Sequence, residues 1–172
     1  GGAWNKVYFE KMCEFYSRLG RNRYTVIRHS NIYGPYDKFD LKKSHVFGAT
    51  MTKVMTAENN KITVWGSGEE ERDLLYISDL ARFVEMAIDK QQNAFELFNA
   101  GFGEAITVKE LVRKIVACSG KMLDIEHDLS KPSIKTRLCL DSTKAGKELG
   151  WEPQVSLDDG IKKTMDWYQT YL

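Results

Sequence analysis

Apolar residues recur at helical spacing from the start of the chain. Tyr8, Phe9, Met12, Cys13, Phe15, Tyr16 and Leu19 predict a helix over Trp4–Leu19, with Gly20 where a C′ glycine belongs. Tyr24–Arg28 is a short β-rich run, and Gly34-Pro35 ends the strand it opens. A polar, charged loop follows over residues 36–43, after which Ser44 is expected to cap a helix reaching about Ala57. Lys61–Trp65 alternates as a strand does and stops at Gly66-Ser-Gly68; Arg72–Ile77 predicts the next strand. Ser78 or Asp79 then precedes the stripe Leu80, Phe83, Val84, Ala87, Ile88. Thr107 with Glu110 is a capping box ahead of Leu111, Val112, Ile115 and Val116. Asp141 or Ser142 opens a short helix closed by Gly150, and Ser156 with Asp159 opens a last one ending at Trp167-Tyr168. Short strands are expected at Phe95–Asn99, Leu123–Glu126 and Arg137–Leu140. Strands alternating with helices make the class α/β.

Composition narrows the partners. The net charge is +1 over 172 residues, so no global field argues for nucleic acid or an anionic membrane surface. An anion site must come from a few placed cations. No apolar run approaches the ~20 residues of a membrane span. Cys13, Cys118 and Cys139 form no Cys-x-x-Cys pair and read as buried, reduced thiols of a cytoplasmic protein. His29, His45 and His127 stand too far apart for metal-ligand spacing, so no metal is expected. No G-x-G-x-x-G follows a strand, so the chain by itself holds no cradle for a dinucleotide.

Four segments, in order, resemble the extended short-chain dehydrogenase/reductase family of nucleotide-sugar epimerases and dehydratases. They are Trp4-Asn-Lys6; Arg28-His-Ser-Asn-Ile-Tyr-Gly-Pro35; Val64-Trp-Gly-Ser-Gly68 leading into Arg72-Asp-Leu-Leu-Tyr-Ile-Ser-Asp79; and Asp141-Ser-Thr-Lys-Ala145 with Glu148-Leu-Gly-Trp151. Gly34-Pro-Tyr-Asp-Lys-Phe-Asp40 with Ser44-His45-Val46 is most similar to the GDP-fucose synthase group, which are epimerase-reductases. The resemblance implies the C-terminal remnant of a Rossmann-type doubly wound sheet plus a small α/β substrate-binding lobe. Residues 1–36 would belong to the dinucleotide-binding side and 37–172 to the nucleotide-sugar-binding side, with about 72–100 packing back on the former. NAD or NADP would serve the full-length parent and would not bind tightly to this chain alone. Gly1-Gly2 reads as a cloning or protease-site remnant, and the apolar first helix, left without neighbouring strands, is expected to favour association.

The same resemblance assigns roles residue by residue. Lys6 matches the lysine that tunes a catalytic tyrosine and holds the cofactor ribose, with Asn31 and Ile32 beside the cofactor. Four residues before Lys6 stands Gly2, so either the sequence begins just past that tyrosine or the protein lacks it. His45 matches an acid/base at the sugar, imidazole being suited to proton exchange near neutrality; otherwise it is a helix-start histidine. Arg72 is the first choice for phosphate, because a guanidinium grips two oxygens at once; otherwise it pairs with Glu69 or Glu70. Lys131 and Lys53 are further phosphate candidates, with Arg137 a competitor. Val64 and Trp65 would wall the base, completed by Val46 and Thr50, although a core tryptophan is an equal reading. Asn31 also faces substrate or serves as a turn residue. Asp79 reads as an N-cap and Lys144 as solvated. The expected partner is a nucleotide-diphosphate sugar, and a homodimer through Trp4 and Phe15 follows by analogy.

Overall fold

The computed structural model describes residues 2–131 and 136–172. In chain order, the first half holds α1 (Gly2–Ser17), β1 (Tyr24–His29), β2 (Asn31–Tyr33), α2 (Val46–Met55), β3 (Lys61–Trp65), β4 (Glu71–Tyr76) and α3 (Ile77–Lys90). The second half holds β5 (Phe95–Ala100), β6 (Ala105–Thr107), α4 (Val108–Ser119), β7 (Asp124–Asp128), β8 (Arg137–Leu138), α5 (Thr143–Leu149) and α6 (Leu157–Tyr171). The chain is thus α/β. Among the described residues no helix is long and apolar enough to cross a membrane.

Among the described residues, three pieces of sheet hold the strands. β1 pairs parallel with β5, from Tyr24 opposite Phe95 to His29 opposite Ala100. β3 pairs parallel with β7. β4 changes partners along its length: Glu71–Asp73 run antiparallel to β6, Glu71 and Arg72 also pair with β8, and Leu74–Tyr76 run parallel to β2. Alternation along β4 divides the interior. Leu74 and Tyr76 enter a core with Tyr33, Phe47, Met51 and Leu111, whereas Leu75 enters a second core with Phe83, Phe98 and Trp151.

Several expectations are corrected by the backbone. The strand expected through Tyr33 breaks at the buried Ser30, so β1 and β2 join different sheet pieces. β6, three residues long, has no sequence signal of its own. α2 starts later than Ser44: that hydroxyl donates to the Asp40 carbonyl at 2.6 Å, and His45 takes the N-cap position without a side-chain cap. α3 begins at Ile77, with Tyr76 at its N-cap, so Asp79 lies inside the helix and caps nothing. The Thr107 hydroxyl accepts the Glu110 N–H at 3.2 Å, as the capping box requires. Cys118 and Cys139 are exposed and Cys13 half-buried, and the apolar neighbours that suggested burial, Phe9, Phe15 and Tyr16 beside Cys13 and Leu138 beside Cys139, are themselves exposed. Lys144 is not simply solvated: it pairs with Glu96 and lies 4.8 Å from the Phe98 ring centre.

Candidate functional site

The local pattern of β3 decides which side chain meets solvent. Ile62 and Val64 turn into the first core, Val64 being 6% exposed, and Trp65 turns outward at 59% exposed. Val64, expected on the same wall as Trp65, therefore lies on the opposite face of the strand. Two ammonium groups lie over the Trp65 ring. Lys53 reaches across from α2, its Nζ 5.7 Å from the ring centre and donating to the Thr63 carbonyl at 2.7 Å. Lys131 returns from the turn after β7, its Nζ 5.6 Å from the ring centre. That turn is built by Asp128, whose Oδ1 accepts both the N–H and the hydroxyl of Ser130, and these bonds hold its carboxyl below the ordinary range. Register helps as well: Trp65 stands opposite Asp128 in the β3–β7 pair, and the Gly66 N–H donates to the Asp128 carbonyl at 2.9 Å. His127, opposite Val64 in the same pair, contacts the Gly66 carbonyl through Nδ1 at 3.0 Å. Partial burial pushes the Lys53 ammonium below its ordinary value. The result is an exposed aromatic ring with two cations over it, chemistry suited to an anionic ligand that carries a ring.

Arg72 stands on β4 between β6 and β8. Its Nη1 donates to the Glu71 carbonyl at 2.8 Å and to the Thr136 hydroxyl at 2.9 Å. Its Nε and Nη2 have no hydrogen-bond partner among the described residues, so half of the guanidinium fork remains for an anion. It does not pair with Glu69 or Glu70. Arg137 pairs with Glu71 at 3.0 Å instead.

The other candidates are distributed around this region. His45 is exposed at the start of α2. Val46 is half-buried against the first core and Thr50 is buried. The Asn31 amide donates to the Asp73 carbonyl at 3.1 Å, tying β2 to β4. Ile32 pairs with Leu75 and packs on the second core. Lys6 is exposed on α1, at a groove of about 370 Å³ that it shares with Phe9, Cys13, Val26, Ile27 and His29. The structure thus unites Lys53, Trp65 and Lys131. Among the described residues no hydrogen bond or ion pair links Lys6, Asn31, His45 or Arg72 to them.

Two residues organise the surroundings: Asp73, missed by sequence reasoning, and Asp79, read there as an N-cap. Asp73 is 0% exposed; its Oδ1 accepts the Phe102 N–H at 2.8 Å, and its Oδ2 accepts those of Leu140 at 3.0 Å and Gly103 at 3.3 Å. A Cβ on Gly101 would fall 2.5 Å from that Oδ2, so only glycine lets the loop close on the carboxylate. Asp79 is 2% exposed and accepts from Arg82 at 2.9 Å, Gln154 at 3.1 Å and Val155 at 3.0 Å. The signal was present in both cases: an aspartate within or beside an apolar run must find donors if the run is buried.

Residues 3–101 match the NAD dependent epimerase/dehydratase family. The GDP-L-colitose synthase of Yersinia pseudotuberculosis is 33% identical over 98% of this chain and 56% of that protein. A putative GDP-L-fucose synthase 2 of Arabidopsis thaliana is 37% identical over 95% of this chain and 50% of that protein. Among solved structures, the Thermotoga maritima UDP-glucose 4-epimerase with UDP-glucose superposes with a TM-score of 0.85 at 29% identity, covering 95% of this chain and 52% of that one. The chain spans about half the length of the curated relatives it matches.

Proposed function

The chain belongs to the NAD dependent epimerase/dehydratase family, and from that premise we propose that it is the substrate-binding portion of an NAD(P)-dependent nucleotide-sugar epimerase/reductase acting on a GDP-sugar. The observation that carries this reading is the outward Trp65 face with Lys53 and Lys131 over it. A base stacks on the indole, and the diphosphate meets the lysines and the unused half of the Arg72 fork. GDP is favoured by the relatives' names, and residues 37–172 form this nucleotide-sugar side. His45 exchanges a proton with the sugar.

Residues 1–36 lie on the cofactor side, with Lys6 toward the nicotinamide ribose. The described residues do not complete a dinucleotide site. The glycine-rich turn is absent from the sequence, the Asn31 amide is tied to β4, and Ile32 is packed in a core. The same reading puts the protein in the cytoplasm and pairs two copies through α1.

Calorimetric titration of the chain with GDP, UDP, CDP and dTDP, with NAD(H) and NADP(H) as controls, tests this function. One nucleoside diphosphate should bind, with affinity lost in Arg72→Ala and Trp65→Ala, while the dinucleotides do not. Silence toward every nucleotide diphosphate would overturn it. A second reading, a sugar 4-epimerase, is favoured by the superposition on the UDP-glucose enzyme; preference for UDP over GDP would select it.

A further inference from the structure

The loop between β2 and α2 contains a carboxylate that the site described so far does not use. Asp37 accepts the Lys38 N–H on Oδ1 at 2.6 Å. Its Oδ2 is sealed from solvent and has no hydrogen-bond partner among the described residues. A buried acceptor left without a donor is costly, and it stands where something else offsets the cost.

The position of Oδ2 is informative. It lies 3.5 Å from the point where a Cβ on Gly48 would sit, and the Lys38 carbonyl lies 2.7 Å and the Ser44 Cβ 3.4 Å from that same point. Residue 48 must be glycine for the loop to seat on the first turn of α2. Three residues before Gly48, on the same side of the helix, is His45. Its side chain caps nothing, its ring has no hydrogen bond among the described residues, and it is exposed. The loop also carries Lys38, Asp40, Lys42 and Lys43, and the Asp40 carboxylate is occupied by the Lys42 N–H at 2.7 Å. Burial raises the Asp37 carboxyl above its ordinary value, while the Lys38 N–H and the charge of His45 pull it back.

We propose that Asp37 is a positioning residue for His45: its unpartnered Oδ2 accepts one imidazole N–H, fixing the ring and leaving the other nitrogen to exchange a proton with a bound ligand. Asp37 remains the anionic acceptor throughout. The proton gained or given at the second nitrogen comes from, or returns to, the ligand, so no further reactant is needed. The proton exchange rests on the reading of His45 as an acid/base; the pairing does not.

The test is a carboxyl-carbon NMR titration of Asp37 in the ligand-free chain, in wild type, His45→Gln and His29→Gln. An imidazole is cationic where carboxyls titrate, so it supports the carboxylate. Removing it should move the Asp37 midpoint upward in His45→Gln and leave it in place in His29→Gln. An unmoved midpoint in His45→Gln overturns the pairing, as does an equal shift in both variants. Because no nucleotide is present, this outcome is separate from the GDP titration: loss of GDP binding sinks the functional reading alone, and an unmoved Asp37 sinks the pairing alone.

Discussion

The surroundings of Asp73 and Asp79 and the face of Trp65 are built on opposite terms. The two aspartates are buried, saturated with donors, and hold together segments far apart in the chain. Trp65 is open to solvent and holds nothing in place: its neighbours Lys53 and Lys131 lean on it from other elements. One region turns its carboxylates wholly inward onto the protein, and the other presents an aromatic ring and two ammonium groups at the surface. That contrast separates residues whose loss should unfold the chain from those whose loss should only silence it.

The largest effect expected is on the interior side. Asp73→Ala strands the half-buried Phe102 and Leu140 N–H groups and the exposed Gly103 N–H, and at roughly 1–3 kcal/mol for each unmet buried donor the loss should be about 2 kcal/mol or more in urea unfolding. A cost no greater than that of Trp65→Ala would erase the distinction. Next, Trp65→Ala should leave stability within about 0.5 kcal/mol, as surface changes do, while weakening nucleotide binding about 10- to 100-fold, the scale of one base–aromatic stack. Calorimetry and urea unfolding of the same sample read both halves. Smaller still, Thr107→Ala should cost about 1 kcal/mol through its lost N-cap, with unchanged nucleotide affinity.

The smallest effect is a pH dependence. Burial raises the Glu96 carboxyl, but its bonds from Lys144 and Asn93 outweigh this and leave it below its ordinary value. A depressed carboxyl stabilises the fold above its unfolded value, and that stabilisation is lost as pH falls through the folded one. Lys144→Gln should flatten the acid limb of thermal stability slightly, with no change at the Trp65 face. The pair is part-exposed, which keeps the effect small.

How much of this was legible depended on the distance between partners. The Thr107–Glu110 cap spans three residues and could be read directly. The α/β alternation and most helices followed from periodicity. Asp79 looked like a cap because its true partners, Gln154 and Val155, lie 75 and 76 residues away. Asp73 reaches 67 residues to Leu140. Alternation in Lys61–Trp65 states that Val64 and Trp65 face opposite ways, but it does not state which faces the core. That choice is made by α2 and α4 packing over Ile62 and Val64. The platform itself was half visible: Lys53, Trp65 and Lys131 were candidates separately, and only the β3–β7 pairing brings Lys131 back over the ring.

The parity of β4 has a consequence for how the chain tolerates change in length. Leu74 and Tyr76 serve one core, Leu75 the other, and Arg72 precedes the buried Asp73 by a single step. Inserting one residue after Arg72 would exchange the two sides for everything beyond it. Leucines would change cores, and the carboxylate that clasps residues 102, 103 and 140 would swing away from them. Substitutions along this strand can be absorbed one at a time, but an insertion is an error in counting that every neighbouring layer would register at once. Added or deleted residues should therefore be accommodated in the loops flanking β4, where no such alternation is kept.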